Sequence, residues 1–353
     1  MAPTAGAGIL VKADAVARPF QDELKHALDG AARRPRLVGI LATSGAPSRM
    51  YAEFTRRACT ELGVDFVLRE TGAAIEGSGA AEGDGVEEAI LEANEDSNVD
   101  GIMVYYPIFG GTQDQYLQQV VSPFKDVEGL HFQFHYNLYH NLRYITPASL
   151  LAPAGSVPLS DAPLSADPPP GMVKSILPCT PLAVVKALEH CGVYNALLAY
   201  GDRAYGKTIL VINRSEVVGR PLAALLANDG ARVFSADIDS IQEYTKRPPG
   251  EAKRFHARHV VRPCKLALQE CIAAADIVVG AVPSASYKVP TAQLKDGCIC
   301  INVSSEKNFE ADVRQKASIY VPAVGRVTIM MLLRNLLRLQ DYRKLLEASQ
   351  KQE

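Results

Sequence analysis

At 353 residues, with 48% hydrophobic and 22% charged residues, the chain reads as an ordinary globular protein too long for one comfortable core, so two domains are expected. A formal net charge of −2 gives no reason to expect nucleic acid or an anionic membrane as a partner. No run of eighteen apolar residues occurs, and residues 1–20 lack a basic segment followed by an apolar one, so the expected location is cytoplasmic.

The seven cysteines are odd in number and form no C-x-x-C, which argues for reduced thiols and against a zinc site; no metal is expected. Cys298 and Cys300 lie two apart in GCICINV and read as small buried hydrophobes on one face of a strand.

In chain order, Val16, Phe20, Leu24 and Leu28 mark an opening helix over 9–29, ended by Gly30. Residues 37–42 (LVGILA) predict a buried strand, 48–62 a helix stopped by Gly63, and 64–70 a strand. A helix over 86–94, a strand over 101–106 and a helix over 113–121 follow. Strands alternating with helices imply right-handed crossovers and a parallel sheet covered on both faces. Residues 151–170 are rich in Pro, Ala and Ser without periodicity and predict a surface loop. A helix over 182–190 comes next, with Thr180 placed to cap it and Pro181 at its first position. Then come strand 208–213, helix 220–228 and strand 232–236. Residues 246–263, basic and punctuated by proline, predict another loop. Helix 265–274 leads to strands 276–282, 298–303 and 318–321. The final helix, 327–339, is apolar on one side and needs a partner surface.

Within this second set, residues 209–239 run from strand through turn and helix to a second strand ending in Asp237, half of a dinucleotide-binding unit. The turn, Asn213-Arg-Ser-Glu-Val-Val-Gly219, has one glycine where the usual G-x-G-x-x-G fingerprint has three.

Four segments then fall in register: Asp126-Val-Glu-Gly129, Pro178-Cys-Thr-Pro181, the turn just described, and Val321-Pro-Ala-Val-Gly-Arg-Val-Thr328. In order and spacing they resemble the KDVDG, PCTP, GRSxxVG and PGGVGPMT motifs of the methylenetetrahydrofolate dehydrogenase/cyclohydrolase family, over nearly the whole chain. The resemblance implies an α/β fold of two domains. A folate-binding catalytic domain would comprise 1–150 plus 322–353, with 151–173 as a Pro-rich loop. A Rossmann-like NAD-binding domain would comprise 174–321, and the final helix would return to the first domain. A homodimer is implied by the family alone.

The chain departs from the bifunctional pattern at three positions. Where those members carry Tyr-x-x-x-Lys, this chain has Tyr51-Ala-Glu-Phe-Thr55; their Val-Gln-Leu-Pro is Val104-Tyr105-Tyr106-Pro107; their Asp before Gly is Glu128. The Lys/Gln/Asp set used to hydrolyse the methenyl ring is thus altered throughout, which resembles the monofunctional, NAD-dependent branch known from yeasts. The implied reaction moves a hydride from the one-carbon bridge of 5,10-methylenetetrahydrofolate to nicotinamide, a step that needs positioning more than proton abstraction. Hydrolysis needs an activated water and a tuned base, which Thr55 cannot supply. By resemblance Tyr51, Thr55, Tyr105 and Glu128 form the catalytic pocket. Tyr51 stacks on the pterin, Glu128 accepts from its N–H groups, and Pro322, Gly325 and Thr328 return to the folate cleft.

Cofactor choice rests on two opposed features. Arg214 and Ser215 could hold a 2′-phosphate, whereas Asp237 stands where a carboxylate accepts from the ribose 2′-hydroxyl and repels a phosphate, with Asp239 adding charge. The second is the costlier conflict for NADP, so NAD is expected. Asn213, Arg214, Ser215, Gly219, Asp237 and Ile238 are the expected cofactor residues on this side; by resemblance Ala281, Val282, Asn302, Ser304 and Ser305 flank the nicotinamide. Two alternatives remain open at this point: retained hydrolysis through another base such as His135 or His140, and an NAD-binding homologue without chemistry.

Overall fold

The computed structural model describes residues 7–31, 33–156, 165–250 and 255–350. The chain opens with a short strand, β1 (Ile9–Leu10), before helix α1 (Ala13–Asp29). The helix expected from residue 9 therefore starts later, because the first residues complete a sheet edge. Ile9 N and Val11 N donate to Ser318 O and Tyr320 O at 2.7 and 2.9 Å. A Cβ on Gly8 would lie 1.8 Å from Ala317 O, so only glycine allows this approach.

The alternating set follows as β2 (Arg36–Leu41), α2 (Ala46–Leu62), β3 (Asp65–Glu70), α3 (Val86–Glu95), β4 (Gly101–Val104) and α4 (Thr112–Val120). β2 is the middle strand of a parallel sheet ordered β3-β2-β4. Its six residues RLVGIL are all but one buried, as a strand covered on both faces requires. α2 stops at Gly63, whose φ of +78° is the left-handed cap that a side chain would resist.

Helix α5 (Phe132–Tyr139) was not expected from periodicity; His131 caps it by accepting from Gln133 N at 3.2 Å. Strands β5 (Tyr144–Ile145) and β6 (Val173–Lys174) pair antiparallel and close the base of the Pro-rich excursion, of which 157–164 lie outside the described residues. Helix α6 (Cys179–His190) begins before the expected cap at Thr180. Pro178 takes the N-cap position and Pro181 sits in the first turn, where its missing N–H has no partner to lose.

The second sheet collects β7 (Thr208–Ile212), β8 (Arg232–Ala236), β9 (Ile241–Thr245), β10 (Val260–Pro263), β11 (Ile277–Gly280), β12 (Ile299–Asn302) and β13 (Ile319–Val321). With β1 the order is β1-β13-β12-β11-β7-β8-β9-β10, parallel throughout except that β9 runs antiparallel to both its neighbours, β8 and β10. Helix α7 (Gly219–Asn228) joins β7 to β8, and α8 (Leu268–Ala274) precedes β11. The loop expected over 246–263 is thus partly wrong, because its end is β10, registered Val260↔Thr245 against β9. The buried Glu243 carboxylate holds this edge, bridging Arg232 at 2.6 Å and Arg262 at 3.3 Å. Residues 251–254 lie outside the described residues.

Helix α9 (Gly325–Gln350) is far longer than the apolar stripe suggests, and it packs on α1 and α6. Its buried face includes Leu332, Leu333, Leu336, Leu339 and Tyr342, together with the polar residues Thr328 and Asn335. Asn335 Nδ2 donates to Val127 O at 2.9 Å and to Leu177 O at 3.1 Å, tying two loops to one helix. Asn335→Ala leaves both carbonyls without this donor, and a buried group so orphaned costs about 1–3 kcal/mol. Urea unfolding should show a loss of about 2 kcal/mol or more; an unchanged midpoint would refute the clamp.

Candidate active site

Two clusters of the expected residues form, each at the C-terminal ends of parallel strands. In the first, Tyr51 and Thr55 lie one turn apart on the same face of α2. Thr55 is fully buried and donates its hydroxyl to Tyr51 O at 2.9 Å. Tyr105 follows β4, and its ring meets that of Tyr51 edge-on, 6.1 Å between centroids. The hydroxyls of Tyr105 and Tyr106 are buried and without a hydrogen-bond partner among the described residues. Buried orphan hydroxyls are uncommon and mark a place where a ligand or water completes the bonding.

Glu128 enters this recess from the loop between α4 and α5 and accepts from Val104 N at 3.0 Å through Oε2. Burial pushes its carboxyl up to about 8; the Val104 N–H opposes this and the neighbouring Asp126 adds to it. Cys179, at the start of α6, faces the same group, and burial raises its thiol far above the usual range. Tyr51 is likewise raised, by burial first and then by Cys179 and Glu128. The recess is therefore a low-dielectric pocket in which the Glu128 carboxyl meets phenols and a thiol, with no ammonium acting on it among the described residues.

The loop carrying Glu128 is built from its neighbours. Asp126 accepts from Glu128 N, Gly129 N and His131 N at 3.1, 2.9 and 2.8 Å. Burial nevertheless pushes Asp126 up to about 6. Lys125 turns away, donating to Ala93 O, Asn94 O and Asp96 O at the end of α3 at 2.9, 2.8 and 2.7 Å. Gly129 has φ +73°, and a Cβ there would meet Leu177 C at 2.7 Å, because the segment entering α6 crosses directly over it. Cys179 N completes the crossing by donating to Glu128 O at 3.0 Å.

Pro322 lies between β13 and α9, and Gly325 begins α9 with open space where a side chain would stand. Thr328 is buried and its hydroxyl bonds back to Val324 O at 3.3 Å. His135 and His140 are elsewhere: their rings pack on Tyr139 and Tyr136 of their own helix, and burial lowers His135 to about 4.

The second cluster surrounds the end of β7. Asn213 has φ +84° and donates Nδ2 to Ala281 O at 2.8 Å, joining the ends of β7 and β11. Ser215 Oγ accepts from Val218 N and Gly219 N at 3.3 and 3.4 Å, winding the turn into α7. A Cβ on Gly219 would lie 1.8 Å from Asn213 O, so the single glycine of this turn is the one it cannot lose.

Arg214 is committed within the protein. Its Nε donates to Ser235 Oγ at 3.1 Å, one terminal nitrogen to Ser240 Oγ at 3.0 Å, and the other to Ser235 O and to Ser240 O at 3.0 Å. It thereby braces the turn bearing Asp237, whose Oδ1 accepts from Ile238 N at 2.9 Å. Asp237 is exposed and Ile238 is 95% exposed, an apolar side chain with nothing covering it.

Asn302 is buried and turned inward: Nδ2 donates to Ser304 O and Glu306 O at 2.8 and 3.0 Å, and Oδ1 accepts from Asn308 N at 2.8 Å. Asn308 in turn pairs with both backbone groups of Val282, at 2.8 and 2.9 Å. These bonds shape the loops carrying Ala281, Val282, Ser304 and Ser305. Asn308, Asn335 and Cys179 were not picked out as site residues from the sequence. For Asn335 a signal exists, a lone amide among leucines on the buried face of a long helix; for Asn308 there is none.

Residues 11–128 match the tetrahydrofolate dehydrogenase/cyclohydrolase catalytic domain, and residues 178–248 match the NAD(P)-binding domain of the same family. The chain is 46% identical over 334 residues to the NAD(+) methylenetetrahydrofolate dehydrogenase of Schizosaccharomyces pombe, covering 94% of this chain and 93% of that one. It is 39% identical over 324 residues to the Dictyostelium discoideum protein of the same name, covering 92% and 91%. The solved structure of the NAD-dependent 5,10-methylenetetrahydrofolate dehydrogenase from Saccharomyces cerevisiae aligns with a TM-score of 0.82 at 43% identity, over 96% of this chain and 99% of that chain. With both halves matched and relatives this similar along almost their full length, the chain belongs to the tetrahydrofolate dehydrogenase/cyclohydrolase family.

Proposed function

We propose that this protein oxidises 5,10-methylenetetrahydrofolate to 5,10-methenyltetrahydrofolate with NAD as hydride acceptor, and that it does not hydrolyse the product. The observation that carries the second half is the recess at Thr55. Its hydroxyl is committed to the helix backbone, and no ammonium among the described residues acts on Glu128. The first half is supported by the names of the relatives together with the fit of the second cluster to a dinucleotide. The division of labour follows: residues 1–150 with 322–353 hold the folate, and 174–321 hold the cofactor, β1 lending an edge strand to the second sheet. A homodimer in the cytoplasm completes this reading; no helix among the described residues is long and apolar enough to cross a membrane.

On this reading the side chains position, neutralise and exclude water. Tyr51 offers a ring face to the pterin, and Tyr105 fixes the tilt of that ring by its edge contact. Glu128 Oε1 accepts from the pterin amino and amide N–H groups, while Oε2 remains on Val104 N. Pro322, Gly325 and Thr328 form the wall where α9 begins, with Gly325 leaving room against the substrate. Asn213, Ser215 and Gly219 shape the turn under the pyrophosphate. Asp237 accepts from the ribose hydroxyl, and Ile238 covers the adenine. Ala281, Val282, Ser304 and Ser305 stand on loops that Asn302 and Asn308 hold in place beside the nicotinamide. NAD, when bound, supplies the hydride acceptor, and the folate nitrogens stabilise the cation left behind, so no side chain is required as a base.

Purified protein given methenyltetrahydrofolate without cofactor should consume it no faster than buffer alone. A rate above buffer that Thr55→Ala leaves intact would put the hydrolytic base elsewhere and overturn this half.

The commitment of Arg214 to Ser235 and Ser240 removes the side chain best placed to greet a 2′-phosphate and leaves Asp237 to decide. Asp237→Ser is expected to raise the NADP/NAD ratio of kcat/KM by about tenfold, roughly 1.4 kcal/mol of relieved repulsion. An unchanged ratio would count against the assignment.

Glu128 titrates near 8, so kcat/KM for the folate should rise with pH through the neutral range as the accepting carboxylate forms, and Glu128→Gln should flatten that limb. Stability moves the other way. The folded state keeps the proton that the unfolded chain releases near its ordinary value of 4.5, so stability falls as pH rises from there to about 8. Relative to Glu128→Gln, the native protein should lose up to about 1.4 kcal/mol per pH unit between pH 6 and 8. Parallel stability curves for the two proteins would contradict the buried acid.

A further inference from the structure

A separate cavity of about 130 Å³ lies among α5, α6, α7 and α9 and shares no lining residue with either cluster. It is lined by five cations, Arg143, Lys174, Lys186, Arg334 and Arg338, and by no carboxylate. They come from different directions: β6 carries Lys174, α6 carries Lys186, α9 carries both Arg334 and Arg338, and Arg143 precedes β5.

Three of these have a carboxylate outside the cavity. Arg143 reaches Asp229 at 2.6 Å, Lys186 reaches Glu189 at 2.8 Å, and Arg334 reaches Glu23 at 3.0 Å. Arg338 and Lys174 have none among the described residues, and the acceptor nearest Arg338 is Ser175 O at 3.4 Å. Burial lowers the Arg338 pKa, and Arg334, one turn before it on the same helix, pushes it the same way, against the opposing pull of Tyr342, Tyr200 and Glu23. Like charges four residues apart on a helix destabilise each other, and enclosing them removes the water that would screen them. Two cations without a carboxylate contact among the described residues, in a cavity lined by three more, call for one dianion.

We propose that this cavity binds a small phosphate-type dianion. The volume is well below the ~300–1,000 Å³ of sites for larger ligands, which excludes a nucleotide. Cations converging from three elements and the segment before β5 suit the lone pairs of a tetrahedral oxyanion better than a flat carboxylate. The bound anion would join β6 to α6 and α9, whose first turns carry Cys179 and Gly325. Its expected effect is a stiffer frame beneath the active site, without taking part in the chemistry.

The test is thermal unfolding of the full chain, without folate or NAD, titrated with inorganic phosphate at constant ionic strength. A saturable rise of about 2 °C or more is expected. Arg338→Gln should abolish the rise, and Lys174→Gln, on the short outer strand, should weaken the apparent Kd about tenfold. If Arg338→Gln does not fold, Lys174→Gln alone decides. The proposal is overturned by the absence of a saturable rise, by a rise that survives the variants, by an equal rise with malonate, or by loss of the rise in Arg214→Gln instead, which would place the anion at the cofactor turn. Because the readout is binding, the result is independent of whether the proposed reaction is correct.

Discussion

The recess around Glu128 depends on one amide. Asn335 lies on the buried face of α9 and holds two carbonyls, one from the loop that carries Glu128 and one from the segment that leads to Cys179. Those two stretches also cross each other, at Gly129 and through the bond from Cys179 N to Glu128 O. A carboxyl in a low-dielectric recess is useful only if it cannot move to find solvent. The clamp achieves that with backbone groups, which leaves both edges of the Glu128 side chain free for Val104 N and a ligand.

The cofactor end is organised on the same principle, by an internal polar side chain whose partners are backbone and hydroxyl oxygens. Arg214 spends its donors on Ser235 and Ser240, and so fixes the turn in which Asp237 stands. A guanidinium four times bonded in this way is a strut. Its charge still reaches the neighbourhood, but its geometry is spoken for, and the Asp237 carboxylate beside it is exposed. Asn308 does for the opposite loops what Arg214 does for this turn.

Two long helices run beneath these two ends. α6 and α9 both begin at the active site and run back together, and the cation-lined cavity lies along that shared length. Burying Arg338 without a carboxylate is a cost that nothing in the folate or cofactor sites requires. A fold that retains such a cost beside its two connecting helices has a place where a small anion would alter how firmly those helices are held.

Much of this was legible in the sequence. Periodicity located the three strands of the first sheet, five of the eight in the second and most helices to within a few residues, because strands buried on both faces read as unbroken apolar runs and glycine ends α2 where φ must be positive. Motifs in register pointed to Tyr51, Thr55, Tyr105 and Glu128, which the fold brings to one recess, and to Gly219, which its turn cannot replace. Long-range pairing was not legible. β1 reads as helix until β13 offers it an edge, and β10 reads as loop until Glu243 and β9 give it a partner. The same holds for side chains whose role depends on what packs above them: Arg214 became a brace, Asn302 turned inward, and Asn335 bridged two loops far from it along the chain. Local chemistry, set by neighbours in the chain, was determined by the sequence itself. Which polar groups are free to meet a ligand was decided only by tertiary structure, since a donor's availability depends on every acceptor that folding brings within reach.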